Sequence, residues 1–424
     1  MSSLLLVTAA ILLISSIKRP GHFGALFLFG YPIAQLCGVP FSAPFSALAV
    51  SMLILMHLAK DHRTFRHLHI SIVDKTVAIL AITILISALF APSTAVSFPS
   101  YISLMSQLGA GYLIFRLSFS LAPLDKTSRE FLIACSILSA TTSIVFIGSG
   151  QATSWGRFKL EDGSNISVGI TQALGTAAIA TIYLISACPI RRIFSILLLS
   201  TSLALSVYAI NLTGTRGSLL AITAGSLFII IKLTSSRKML RKLTITVVTA
   251  SVAVFIYSQV NDIDLFAGRL FKFESYGSIY DTSSMERIYR IRNALDIIDS
   301  NIILGVGPGG FDYLTDQDYP HNIFLDIATT GGLLSMAAFL FLIIITVSTC
   351  AKKNILKARD HFVGVMALLF ATFIHYQVSF SLEHGKPLML IATIAAATSI
   401  TNKGRVIAPG VKKFSGGNSG VRPA

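Results

Sequence analysis

The chain has 424 residues, of which 53% are hydrophobic and only 12% charged, with a formal net charge of +15. So much apolar material cannot be hidden inside one soluble core, which excludes an ordinary soluble enzyme and indicates a polytopic membrane protein. In a soluble chain the positive charge would suggest nucleic acid, so its distribution along the sequence decides its meaning.

Taken in chain order, apolar runs occur at 3–17, 22–37, 41–59, 75–92, 99–120, 130–149, 167–188, 193–212, 217–233, 243–259, 323–349, 361–380 and 387–401. A helical span needs about 20 residues, so these predict an all-α transmembrane bundle of about 12 to 13 spans. Helices are the spanning form because a backbone in hydrocarbon must satisfy its own hydrogen bonds, and the runs are too long for barrel strands. The runs divide the chain into an N-terminal transmembrane bundle (1–259), a long polar loop (260–321), C-terminal transmembrane helices (322–401) and a Gly/Ser-rich tail (402–424) expected to be disordered.

Basic residues gather in alternate connections: Lys18 and Arg19, Lys60 with Arg63 and Arg66, Lys126 and Arg129, Arg191 and Arg192, Lys232 to Lys242, Lys352 to Arg359, and the tail from Lys403 to Arg422. That is the positive-inside pattern, and it puts the tail in the cytoplasm and the 260–321 loop on the opposite face. The loop itself carries ten acidic residues against five basic ones, so it is not a surface for nucleic acid or anionic lipid. The basic balance is topological. Cys37, Cys135, Cys188 and Cys350 lie in or at the ends of runs and give neither a disulfide framework nor a metal spacing. Met1 to Ile17 lacks a basic leading region, so the first run reads as a retained span rather than a cleaved signal.

Two outward turns precede the long loop. Residues 150–166 hold Trp155, Arg157 and Lys159, which read as an interface anchor with snorkelling bases, with sugar stacking or substrate binding as the functional alternative. Asn211 to Ser218 reads NLTGTRGS. Its Arg216 either snorkels to headgroups or, between glycines and two helix ends, faces an anion.

Within the long loop Ile288, Ile291, Leu295 and Ile298 recur at three- and four-residue steps, predicting an amphipathic helix over 284–299 that lies against the membrane or the bundle. Ser283 and Ser284 are its candidate N-caps, and Asn301 and Gly305 mark its end. Arg287 and Arg290 sit one turn apart, and Arg292 is spaced to pair with Asp296. The plain reading is three solvated arginines. The functional one is an anion grip, since guanidinium offers a planar fork of donors. Gly305, Gly307 and Gly310 spell G-x-G-x-x-G, but no strand precedes them, Pro308 interrupts them and no helix is evident afterwards, so they predict a tight turn with positive φ rather than a nucleotide site. Asp316 and Asp318 imitate a D-x-D metal motif but supply fewer oxygens than a hard cation needs.

His62, His67 and His69 fall in a basic connection, while His57 and His375 lie within runs and His384 on the outward side. His321 differs: it precedes Asn322 at the mouth of the run NIFLDIATTGGLL, where burial and an amide neighbour can fix one tautomer and tune its pKa.

An outward T-x-x-R-G turn (Thr213, Arg216, Gly217), then Arg287 with Leu295 seven positions beyond the next residue, then LGVGPGGF (Leu304 to Phe311), then His321-Asn322 opening a run with Gly331-Gly332 downstream resembles the O-antigen ligase and polymerase superfamily. The motifs cover roughly residues 211–335, and the N-terminal half resembles the family in hydropathy only. The resemblance implies an inner-membrane glycosyltransferase of the all-helical C type, acting on the periplasmic face without cofactor, nucleotide sugar or metal. Its implied donor is an oligosaccharide on undecaprenyl diphosphate and its acceptor a glycan or lipid A-core. In that chemistry Arg216 and Arg287 stabilise the leaving diphosphate and His321 serves as general base. Asn322, Arg290 and Arg157 are the expected substrate-binding residues. The connection from Phe311 to His321 is short for a lipopolysaccharide ligase, which leaves room for a polymerase. A rival from a different class is a glycolipid transporter or flippase. Such a protein needs ionisable groups deep in several spans, whereas Asp326, Arg116 and His375 nearly exhaust that inventory here.

Overall fold

A computed structural model describes residues 2–38, 43–60, 70–152, 158–160, 167–187, 192–213, 215–233, 282–351 and 360–377. The expected runs at 243–259 and 387–401, the tail, and His62, His67, His69, His384, Trp155 and Arg157 lie outside the described residues.

The described chain is nearly all helix. In order the helices are α1 (Ser2–Ser16), α2 (Gly21–Leu28), α3 (Gly30–Leu36), α4 (Ala43–Lys60), α5 (Ile72–Leu89), α6 (Thr94–Ser120), α7 (Leu124–Ser149), α8 (Ser167–Ala187), α9 (Ile193–Thr213), α10 (Arg216–Leu233), α11 (Thr282–Ser300), α12 (Gly310–Thr315), α13 (Ile323–Ala351) and α14 (Asp360–Tyr376). Between α7 and α8 the strands β1 (Gly150–Ala152) and β2 (Phe158–Leu160) form a short antiparallel hairpin in which Gly150 faces Leu160. Among the described residues five helices are long and apolar enough to cross a membrane, namely α5, α7, α8, α9 and α13, and three shorter apolar stretches lie in α1, α10 and α14. The bundle is therefore polytopic and helical, as its hydropathy dictates.

The expected span at 22–37 is a correction. It is two pieces, α2 of 8 residues and α3 of 7, together far shorter than the roughly 30 Å hydrocarbon thickness once broken, since a helix rises about 1.5 Å per residue. The break follows from Pro32, whose ring excludes the carbonyl of Leu28 four residues back and removes an amide donor. Phe29 at the junction has φ −89° and ψ 0°. Every residue of α2 is buried, so this segment is an internal plug packed on α1, α6 and α7.

The centre of the bundle is α8, whose apolar window is 94% buried, against 33% for α5 and 39% for α13. Those two flanking helices expose Ile79, Ile82, Leu334, Phe341, Ile344 and Val347, a surface suited to lipid tails. Around α8 the seams use small hydroxyl residues: Ser136 with Thr181 at 2.6 Å, Ser139 with Ser206 at 2.6 Å, and the Ser202 hydroxyl donating to the Ser136 carbonyl at 3.0 Å. Small residues allow helices to approach closely where no hydrophobic effect drives them together.

Chain direction alternates so that the starts of α6, α8, α10 and α13 and the ends of α5 and α14 meet at one end of the bundle. The contacts that fix this are Gly307 against Ser97, Gln172 with Tyr376, Ser218 with His375, Asn322 with Gln377 and Ser87 with Thr330. At the other end the Asp125 carboxylate, beside Lys126, accepts from the His361 amide at 3.2 Å.

Candidate active site at one end of the bundle

The glycine run forms a turn against a broken helix. Gly305, Gly307 and Gly309 have φ of +66°, +80° and +73°, the left-handed region that glycine enters without steric cost. Helix α13 is interrupted at Gly332, where φ is +61° and ψ −161°, freeing backbone groups that the turn then satisfies. The Val306 amide donates to the Thr329 carbonyl at 2.8 Å, the Gly307 amide to Thr330 at 2.9 Å, and the Leu333 amide to Ile302 at 2.8 Å. A Cβ on Gly305 would meet the Thr329 carbonyl oxygen, and one on Gly332 the Ile303 carbonyl oxygen. The tight-turn expectation therefore stands, with one correction: a helix does follow, since α12 begins at Gly310. Asp316, half of the D-x-D look-alike, is the left-handed C-cap of that helix (φ +53°).

The turn follows α11, which begins at Thr282, ahead of the expected Ser283 or Ser284 caps, and ends at Ser300. Ala294 is its fully buried contact, while Ile288, Ile291 and Leu295 are exposed. Of the two expected resting places for that apolar stripe, the structure leaves it facing away from the bundle. The expected Arg292–Asp296 pair gives way to Glu286–Arg290, at 2.6 Å with Arg290's side chain only 11% exposed.

Arg290 also reaches the segment before α13, its Nη1 donating to the Tyr319 carbonyl at 3.3 Å. Tyr319 and His321 rings lie 4.5 Å apart. His321 itself has φ +60°, a left-handed conformation that costs a non-glycine residue about 1–3 kcal/mol and that clusters at functional sites. Burial first, then the positive charges of Arg290 and Arg287, push its imidazole down to about 4, opposed by Glu286 and Asp318. The ring is neutral at physiological pH. Burial, with Asp318 adding to it, pushes the Tyr319 phenol up to about 12, and Asp326 is within electrostatic reach of it. Two polar atoms here are buried without a hydrogen-bond partner, Arg290 Nε and His321 Nδ1. Buried polar atoms are satisfied in the great majority of cases, so two neighbouring exceptions call for a function.

Asn322 caps α13: its Oδ1 accepts from the Phe324 amide at 3.0 Å and the Leu325 amide at 3.2 Å, and its Nδ2 donates to Gln377 Oε1 at 3.3 Å. Arg216 opens α10, two residues before Ser218, whose hydroxyl is 3.4 Å from His375 Nε2. The start of α10 therefore sits at the same end of the bundle as His321. The Arg216 side chain lies outside the described residues.

Of the residues expected from sequence, the structure brings Arg287, Arg290, His321 and Asn322 into one cluster and sets the backbone of Arg216 at the same end. Arg287 is exposed, whereas Arg290 is the one locked to the His321 segment. Glu286, Tyr319 and Gln377 were not anticipated. Glu286 has a signal in its four-residue spacing to Arg290. Gln377 has none, because its partner is 55 positions away. Asp326, counted from sequence as an isolated intramembrane charge, is buried one turn inside α13 from Asn322.

Residues 201–340 match the family model described as O-antigen ligase. The matched segment contains Arg216, Arg287, Arg290, the glycine turn, His321, Asn322 and the Gly332 break. No curated protein matches the chain.

Proposed function

We propose, on the match of residues 201–340 to the family model described as O-antigen ligase, that this protein is a membrane glycosyltransferase that moves a glycan from undecaprenyl diphosphate to a sugar hydroxyl on the periplasmic face of the inner membrane. The observation that carries the reading is the pair of buried, unpartnered atoms, Arg290 Nε and His321 Nδ1, beside exposed Arg287. One is a cationic donor and the other a neutral ring nitrogen, which is what an anionic leaving group and an attacking hydroxyl require.

The chemistry balances with these groups alone. The acceptor oxygen bonds to the anomeric carbon as the bond from that carbon to the diphosphate oxygen breaks. The hydroxyl proton passes to His321, and the electron pair leaves with the diphosphate. Arg216 and Arg287 stabilise the departing charge by charge-assisted hydrogen bonds, with Arg290 in support. Asn322, Arg290 and Arg157 bind substrate. A base held at about 4 is weak in the free protein. A diphosphate seated on Arg287 and Arg290 cancels two charges that hold it down, so donor binding strengthens the base that the reaction needs. The 260–321 loop supplies the arginine helix and the glycine turn between the two membrane portions, 1–259 and 322–401.

The test is transfer by purified protein in a lipid bilayer supplied with polyprenyl-diphosphate oligosaccharide. Longer glycan on the polyprenyl carrier identifies a polymerase, the reading favoured by the short Phe311–His321 connection. Transfer to lipid A-core identifies a ligase. Absence of both products would overturn the enzyme reading in favour of a glycolipid transporter. Arg216→Ala, Arg287→Ala and His321→Ala are each expected to lower turnover at least about 100-fold, the scale for removing a charge-stabilising donor or a base. Full turnover in all three would remove the assigned site.

A further inference from the structure

The end of α14 carries three consecutive polar residues, His375, Tyr376 and Gln377, each joined to a different helix. His375 Nε2 is 3.4 Å from the Ser218 hydroxyl on the first turn of α10. The Tyr376 hydroxyl accepts from Gln172 Nε2 of α8 at 2.8 Å. Gln377 Oε1 accepts from Asn322 Nδ2 at 3.3 Å. Successive residues of a helix point about 100° apart, so a tripeptide can face three neighbours only where the helix end is surrounded. His375 and Tyr376 are buried, and α14 packs on α7, α8 and α10.

We propose that His375-Tyr376-Gln377 is a positioning element that sets the start of the Arg216 helix in register with the His321 turn. Arg216 precedes Ser218 by two residues and His321 precedes Asn322 directly. Asn322 spends its carbonyl oxygen on the first amides of α13, which turns its amide nitrogen toward Gln377 and fixes the cap that follows the left-handed His321. The two groups that act on opposite sides of the anomeric carbon, on the leaving diphosphate and on the attacking hydroxyl, come from segments about a hundred residues apart in sequence, and the tripeptide spans the gap between them. The family match ends at residue 340, so this link is built by a part of the chain outside the matched segment. The inference rests on the transferase reading given above.

Reactive groups misplaced by about 1 Å lose on the order of 100-fold in rate without losing affinity for substrate. Gln377→Met, which keeps the length but removes the acceptor, is expected to lower kcat at least about tenfold with donor KM unchanged, and Gln377→Glu, which keeps an accepting oxygen, to restore most of it. Ser218→Ala is expected to act in the same direction and Ser218→Thr to rescue it. In an Asn322→Ala background, Gln377→Met is expected to add less than about twofold, because its partner is already gone. Thermal midpoints in detergent report folding separately. Wild-type kcat in Gln377→Met and Ser218→Ala, or a fall in yield and midpoint with kcat intact, would overturn the positioning role while loss of activity in His321→Ala still upheld the transferase reading. Full activity in His321→Ala and Arg216→Ala would instead remove the assigned site, and absence of transfer by the unsubstituted protein would overturn the transferase reading itself.

Discussion

The two ends of the bundle each set an arginine against a carboxylate, and they treat it differently. At the end of α5 and α6 away from the candidate site, Arg116 Nε donates to Asp74 at 3.1 Å. That carboxylate also takes the Tyr112 hydroxyl, and the Ser71 amide and hydroxyl at 2.7 Å each, as part of a capping box. At the other end Arg290 holds an exposed Glu286 with one guanidinium nitrogen while its Nε stays unpartnered next to an unpartnered His321 nitrogen. A carboxylate saturated with donors is a structural joint. What sets the His321 end apart is a guanidinium and an imidazole brought side by side on a strained, left-handed backbone (φ +60° at His321), an arrangement that clusters at functional sites.

The sharpest way to break that comparison is a pair of matched substitutions. His321→Asn keeps a residue that tolerates positive φ and removes the base, so turnover is expected to fall about 10²- to 10⁴-fold with the thermal midpoint unchanged. Asp74→Asn should do the reverse, since breaking a buried ion pair costs on the order of 3 kcal/mol: a lower thermal midpoint, with turnover per folded molecule intact. If the two effects exchanged places, the functional and structural ends would have been misassigned. Gly332→Ala comes next. It forces a side chain into a left-handed position that costs about 1–2 kcal/mol and toward the Ile303 carbonyl, so the glycine turn should separate from α13, seen as faster amide exchange at Val306, Gly307 and Leu333.

The smallest expected effect is in the pH profile. Loss of activity on acidification follows protonation of His321, so the acid limb of kcat/KM, which reports the free enzyme, should lie near pH 4 rather than near 6.5. The limb of kcat should lie at higher pH, because bound diphosphate offsets Arg287 and Arg290. Arg290→Gln removes a positive charge that disfavours the imidazolium, so it should move the kcat/KM limb upward. Coincident limbs in all three profiles would show that His321 does not titrate in the reaction.

The bundle was legible because hydropathy is a local property. Nearly every described helix lies where an apolar run or an amphipathic stripe predicted one. One exception, 22–37, is split where one proline outweighs continuous hydrophobicity, and another, α12, begins directly after the glycine turn, where no helix was evident from the sequence. In the site, the grouping of Arg287, Arg290, His321 and Asn322 was suggested only by the family resemblance, while the helix 284–299 and the positive φ angles of the glycine turn could be anticipated from spacing and residue type. Which face of α11 would be covered could not be, because Ile288, Ile291 and Leu295 form as good a stripe for lipid as for protein.

Sequence alone determined the membrane-spanning class, the alternation of basic connections and the residue types available for handling an anion and a proton, all of which follow from composition and short-range pattern. Only the tertiary structure decided that Arg290 rather than Arg292 is locked in an ion pair, that the glycine turn exists to satisfy a break in α13, and that His375, Tyr376 and Gln377 tie three helices together at the site. Those outcomes depend on pairings between segments tens to hundreds of residues apart, where the identity of a residue says what it can bond but not which partner the packed helices will bring within reach.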